Sequence, residues 1–376
     1  MSKAAYIGID GVARKIRKSY IGVDGVARRI KKAYIGIGGV ARPCWSGGEL
    51  AYYGTVADLS TARSNLAATS VGNYALFGGG GESSTVDAYN ESLTRSKPTV
   101  LSRGRTNLAA TSVGSYALFA GGGYSGTITY EHSNDVDAYN ESLARSTPTK
   151  LRYGRVGLRA TTVGNYALFG GGSGSAEVDA YDKSLTMSSP NGFGNPVNSQ
   201  AATAVGDYAL FGGGHSNGND VSATVFAYDK SLTKTLPTGL SQARSELAAT
   251  TAGDYALFGG GVTDVGSVYV SSVVDAYDRS LTRTTPTVLS VARDYLAATS
   301  VGGYALFGGG YKAAVPRDSA TVDAYDAYLT RTIPNELNVA RENLAATSVG
   351  SFALFGGGNS TTDNTKFATV DVYTVI

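Results

Sequence analysis

The chain has 376 residues, of which 50 are glycine, 25 tyrosine and only 16% charged, at a net charge of +2; this is the balance of a turn-rich β protein and excludes a disordered chain. One cysteine, Cys44, excludes an intrachain disulfide, and two histidines, His132 and His215, are too few for a multi-histidine metal site. No stretch approaches the roughly 18 apolar residues of a membrane span, and Met1-Ser-Lys-Ala-Ala-Tyr6 has no apolar leader, so synthesis in the cytosol without a signal peptide is expected.

Residues 1–45 carry a short repeat with a period of 14: Tyr6-Ile-Gly-Ile-Asp-Gly-Val-Ala-Arg, again from Tyr20, and again from Tyr34. Asp10-Gly11, Asp24-Gly25 and Gly38-Gly39 between β-rich segments predict two-residue hairpin turns. Isolated hairpins are marginal in water, so this arm is expected to lean on other chains. Residues 1 to 42 hold ten Lys or Arg against Asp10 and Asp24, a net of +8 that leaves −6 for the rest of the chain. A polyanion such as nucleic acid is one partner for such charge. No interleaved aromatics accompany it, so solvated ribbon edges or protein docking is the preferred reading over nucleic acid. Pro43-Cys-Trp-Ser-Gly-Gly48 reads as the linker to residues 46–376.

From there a second repeat takes over. Leu66-Ala-Ala-Thr-Ser-Val-Gly-Asn-Tyr-Ala-Leu-Phe-Gly-Gly-Gly80 recurs from Leu108, Leu158, Gln200, Leu247, Leu296 and Leu344, at a period of roughly 46 that belongs to propellers and solenoids. Each copy reads as two strands about a Val-Gly-X turn, a third strand such as Val86-Asp-Ala-Tyr89, a turn at Asn90-Glu-Ser, and a short fourth strand before a proline. The last copy stops after its third strand, while Leu50 to Ala57 stands as a fourth strand without its first three. The simplest closure pairs the two ends in one seventh blade, leaving no open edge.

An arginine before the first strand, Tyr-Ala-Leu-Phe-Gly-Gly, and then Val-Asp-Ala-Tyr together resemble the kelch repeat, which implies a seven-bladed β-propeller over residues 46–376. The tryptophan late in each kelch repeat is replaced by Leu93, Leu143, Leu185, Leu232, Leu281 and Leu329, which predicts lighter packing between blades. The 14-residue repeat resembles tandem segments of structural and tail-associated proteins of phages and prophages. That resemblance implies an arm docking on other virion proteins, with several copies side by side.

The copies contain an internal test of pairing. Arg63, Arg105, Arg155, Arg244, Arg293 and Arg341 precede the first strands, and Asp87, Asp137, Asp179, Asp275, Asp323 and Asp371 sit in the third. The fourth copy loses both charges together, having Val197 and Phe226. Joint loss is what a buried ion pair demands, so same-blade structural pairs are expected.

The loop between strands two and three changes completely from copy to copy, and diversified polar and aromatic loops on a uniform scaffold are how binding surfaces are built. Tyr124, Tyr130, His132, His215, Asn219, Tyr269, Tyr311 and Arg317 are the contact candidates. Catalysis is not expected: the two histidines fall in different copies, no Gly-Lys-Ser/Thr follows the glycine runs, and the tyrosine, cysteine and histidine constellation of kelch-type copper oxidases is lacking. No cofactor or metal is implied. The glycine runs are expected to let strands cross near a crowded axis. The sequence thus points to a virion protein displaying a propeller to a cell-surface glycan or protein; the alternatives are a purely structural decoration or baseplate protein and a cytosolic kelch-like adaptor.

Overall fold

The computed structural model of the chain describes residues 48–217, 220–265 and 269–376, together with the backbone of six strands between Tyr6 and Ser46. Those six strands form three antiparallel hairpins, with Ile9 opposite Val12, Val23 opposite Val26 and Ile37 opposite Val40. The dipeptides expected to turn them, Asp10-Gly11, Asp24-Gly25 and Gly38-Gly39, lie outside the described residues. The linker expected at Pro43 is corrected: Val40–Ser46 is one strand, and Tyr34 faces Pro43 beside a register shift. A residue without an N–H fits a strand at such an irregularity, so Pro43 need not end it.

The remainder is an all-β, seven-bladed propeller. The first blade runs Ala67–Val71, Tyr74–Gly78, Val86–Asn90 and Arg95–Ser96, in that order from the axis outward, and five more sheets repeat it. The seventh takes Ala345–Val349, Phe352–Gly356 and Val370–Val375 from the end of the chain and Leu50–Thr55 from near its beginning, with Leu50 opposite Val375. Glu49 and Ile376 extend the seam by exchanging both backbone hydrogen bonds at 3.0 Å. An apolar cluster then joins Phe77 and Tyr89 of blade one to Leu354 and Val372 of blade seven, so the ring closes by ladder and by core.

The repeated letters map onto packing between blades. The Tyr-Ala-Leu-Phe strand is buried on both faces beyond its tyrosine, as expected of a strand in the middle of a sheet. Its terminal glycine receives the next blade's phenylalanine: a Cβ on Gly78 would stand 2.7 Å from Phe119 Cε1. The first two glycines of a run thus serve the joint between neighbouring blades, while the third lies against its own blade's entry to the innermost strand, where a Cβ on Gly80 would stand 2.7 Å from the Ser64 carbonyl oxygen. Each third-strand tyrosine meets its own blade's phenylalanine edge to face, as Tyr89 does Phe77 at 5.9 Å and 87°. Its hydroxyl donates to a backbone carbonyl on the way into the blade, Ala57 for Tyr89 and Thr238 for Tyr277. The leucines in the place of the kelch tryptophan take left-handed backbone, φ 60–61°. They turn inward to the clusters between blades, Leu143 packing beside Tyr74 and Leu281 beside Tyr208.

Six buried ion pairs brace six blades. Arg63, Arg244 and Arg293 each place Nη2 2.8 Å from the carboxylate of Asp87, Asp275 and Asp323, Arg341 is 2.7 Å from Asp371 and Arg105 2.5 Å from Asp137, and Arg155 pairs with Asp179 likewise. Each aspartate's other oxygen has its own work in most blades, accepting from a backbone N–H such as that of Ser241 or Ser290. Every one of these arginines leaves its Nε without a partner. Blade four fills the same space with Val197 and Phe226, on which Phe193 stacks.

Candidate binding face at the channel mouth

The residue just ahead of each innermost strand forms a ring around the axis. Asn65, Asn107, Gly157, Ser199, Glu246, Tyr295 and Asn343 all hold left-handed backbone, with φ between 49° and 69°. Six of the seven steps round this ring are closed by a backbone hydrogen bond, as where Asn107 donates to Asn65 and Asn65 to Asn343, both at 3.0 Å. Between Gly157 and Ser199 no such bond forms. Instead, Arg159 turns back to donate to the carbonyls of Gly157 and Leu158 at 3.3 and 3.2 Å. Its guanidinium reaches over blade four to Glu246, 3.8 Å away.

The variable loops rise from the same end. In five blades the residue preceding the ring position bridges to the start of the same blade's second-to-third loop: Thr106 to Gly123, Asn198 to His215, Ser245 to Val262, Asp294 to Tyr311 and Glu342 to Asn359. Variable loops and ring therefore share one face, and a cavity of about 680 Å³ opens between them at the axis. Its wall is polar, including asparagines, Arg159, Glu246, Glu342, Tyr295 and His132.

Of the candidates named from sequence, three are brought together over blade two and two over blade six. Gly123–Ser125 and Tyr130–His132 form a small hairpin over blade two. There Tyr124 donates to Glu131 at 2.5 Å with Arg103 4.2 Å above its ring, Tyr130 meets His132 edge-on at 6.2 Å, and His132 reaches the cavity wall. Tyr311 and Arg317 pair within blade six's loop, Arg317 Nη1 donating to the phenol oxygen at 2.5 Å. His215 is fixed between Asn198 and Val221, its Nδ1 buried without a partner and its pKa drawn down by burial. Tyr269 stands 67% exposed over blade five, and Asn219 lies outside the described residues. These groups share a face but belong to four blades.

Sequence reading missed the ring itself. Its signal was present: Arg159 occupies a column that is alanine in all six other copies, and the two columns ahead of Leu-Ala-Ala vary while their surroundings do not. Carboxylates gather on one side of the mouth. Burial, with Glu246 and Glu342 nearby, pushes the Asp294 carboxyl up to about 7. Burial also raises Glu342, against hydrogen bonds from Asn359 and Asn343 that favour its charged form. Among the described residues, no group of three or more His, Cys, Asp or Glu is placed to hold a metal ion, and no helix is long and apolar enough to cross a membrane.

Fold and face together define a seven-bladed β-propeller with one diversified, polar end. No family model matches the chain, and no curated protein matches it. Among solved structures it is similar to one titled "Structure of YjhT", at 12% identity and a TM-score of 0.57 over 85% of this chain and 99% of that one. At that identity the likeness is one of fold alone.

Proposed function

We propose that the protein is a recognition module without catalytic activity, which displays the loop face of its propeller to a host-surface glycan or protein from a phage or phage-like particle. The observation that carries this reading is the contrast within each blade. Scaffold positions repeat almost letter for letter, while the loops that differ stand together around one polar mouth. A surface spread over several blades suits many shallow contacts, and avidity from several copies then supplies the affinity that one copy lacks. The three basic hairpins ahead of the propeller, which resemble phage structural repeats, serve as the attachment arm to neighbouring virion proteins. The polar wall offers hydrogen-bonding groups suited to a polar ligand.

The test is binding of the labelled full chain to candidate bacterial cells, together with co-sedimentation of the native protein with particles. Saturable cell binding and particle association support the reading. Particle association without binding to any host cell transfers the protein to structural decoration, and absence from particles removes the virion assignment.

A further inference from the structure

The geometry points to the channel mouth as a binding site for a neutral saccharide, held by Tyr295, Glu246 and the asparagine ring. This deepens the recognition reading above and rests on it only for the biological source of the sugar. The first argument is conformational. Left-handed backbone suits glycine and asparagine, which hold four of the seven ring positions, and is costly for a large side chain. Glu246 and Tyr295, at φ 52° and 49°, stand against that preference in consecutive blades. The leucines with the same backbone repay its strain by packing between blades, but Tyr295 is 41% exposed over the cavity. Strain retained by a side chain that still leaves two-fifths of its surface open to a cavity marks a residue kept for a ligand.

The second argument is chemical complementarity. The wall mixes donors and acceptors: the Asn65 amide, the amide oxygen of Asn343, whose NH2 donates to Glu342 and Asn359, the Glu246 carboxylate beside Arg159, and the ring face and hydroxyl of Tyr295. Sugar hydroxyls likewise donate and accept, so each can satisfy such a wall in either sense. Arg159 is engaged by Glu246 and the Gly157 carbonyl, which leaves it little to offer an anion. A volume of about 680 Å³ also accommodates a sugar residue or two.

The experiment is saturation-transfer NMR on the full chain with glucose, galactose, N-acetylglucosamine and N-acetylgalactosamine, with glucuronate and glucosamine as charged controls, each up to about 20 mM. Tyr295→Asn and Glu246→Asn install the residue that the ring backbone favours. Both variants are therefore expected to melt no lower than the parent while binding of at least one neutral sugar weakens tenfold or more. Neutral-sugar binding unchanged in both folded variants overturns the proposal, as does no binding of any neutral sugar by the parent, or equal binding of a charged control. Cell binding of the same samples separates the two readings. Cell binding kept by Tyr295→Asn but lost on exchanging the outer loops overturns the mouth site and supports host recognition. Sugar binding lost in Tyr295→Asn, with no cell bound by the parent, supports the mouth site and overturns host recognition.

Discussion

Phe193 stacks on Phe226 with 4.6 Å between ring centroids and 28° between planes, in the one blade without a buried arginine and aspartate. The other blades have leucine at the Phe193 position, as in Leu240 beside Arg244 and Asp275. The protein thus contains two solutions to one packing problem. A buried ion pair with hydrogen bonds to backbone, but an unpartnered Nε, occupies the same space as an all-apolar core.

Transplanting one solution onto the other tests what the pairs contribute. Arg244→Val alone takes away the buried partner of the Asp275 carboxylate and leaves it only the more distant Arg283, at 3.8 Å, and should lower stability by up to about 3–5 kcal/mol. The triple change Leu240→Phe, Arg244→Val and Asp275→Phe rebuilds the blade-four core and should recover most of that loss. Urea denaturation monitored by tyrosine fluorescence checks both. A triple variant as unstable as the single one would mean that the pair is indispensable to a blade.

Ring closure gives a second prediction. Removing residues 1–47 leaves the Leu50–Thr55 strand on Val370–Val375, so the propeller should keep its melting temperature within a few degrees. Removing residues 1–56 exposes the edge of blade seven and uncovers Leu354 and Val372 beside blade one. That form should unfold at far lower temperature or aggregate. Differential scanning calorimetry of the two truncations separates these outcomes.

A third prediction concerns pH. Asp294 is 4% exposed, its Oδ1 has no partner, and burial holds its carboxyl at about 7 against an unfolded value near 3.8. In the interval between, the folded state keeps a proton that the unfolded state has lost, so stability from this group falls as pH rises through that window. At about 1.4 kcal/mol per pH unit, the loss reaches at most about 4 kcal/mol. Asp294→Asn should match the parent near pH 4 and exceed its stability at pH 7.5. Urea midpoints across that range measure the difference, and parallel curves would contradict the assignment.

Much of this architecture was legible because repetition is a strong signal. Seven near-copies defined the blades, the out-of-phase ends defined the closing strand, and the joint absence of charge at Val197 and Phe226 exposed the arginine and aspartate columns. The channel mouth was harder to read. Its residues lie in a turn ahead of the small-residue strand, and only the three-dimensional ring brings Asn65 beside Asn343, 278 positions apart in the chain. Arg159 could have been noticed as the single departure from an alanine column, yet its reach to Glu246 depends on channel width, which periodicity does not encode. The last hairpin strand runs on to Ser46 through part of the segment expected as linker, because it accommodates Pro43 beside an irregularity that the letters do not announce.

Under the proposed function the diversified loops, and not the repeated scaffold, carry recognition. Replacing the blade-two segment Gly123–Asp135 in the full chain with blade one's Gly81–Thr85 removes the hairpin bearing Tyr124, Tyr130 and His132 while retaining a connection the fold already uses. The measurement is equilibrium binding of the parent and the exchanged chain to the same host cells, with circular dichroism and melting temperature recorded on each. The expected result is an unchanged fold with at least tenfold weaker binding. Equal binding by both folded chains would contradict the assignment of recognition to this face.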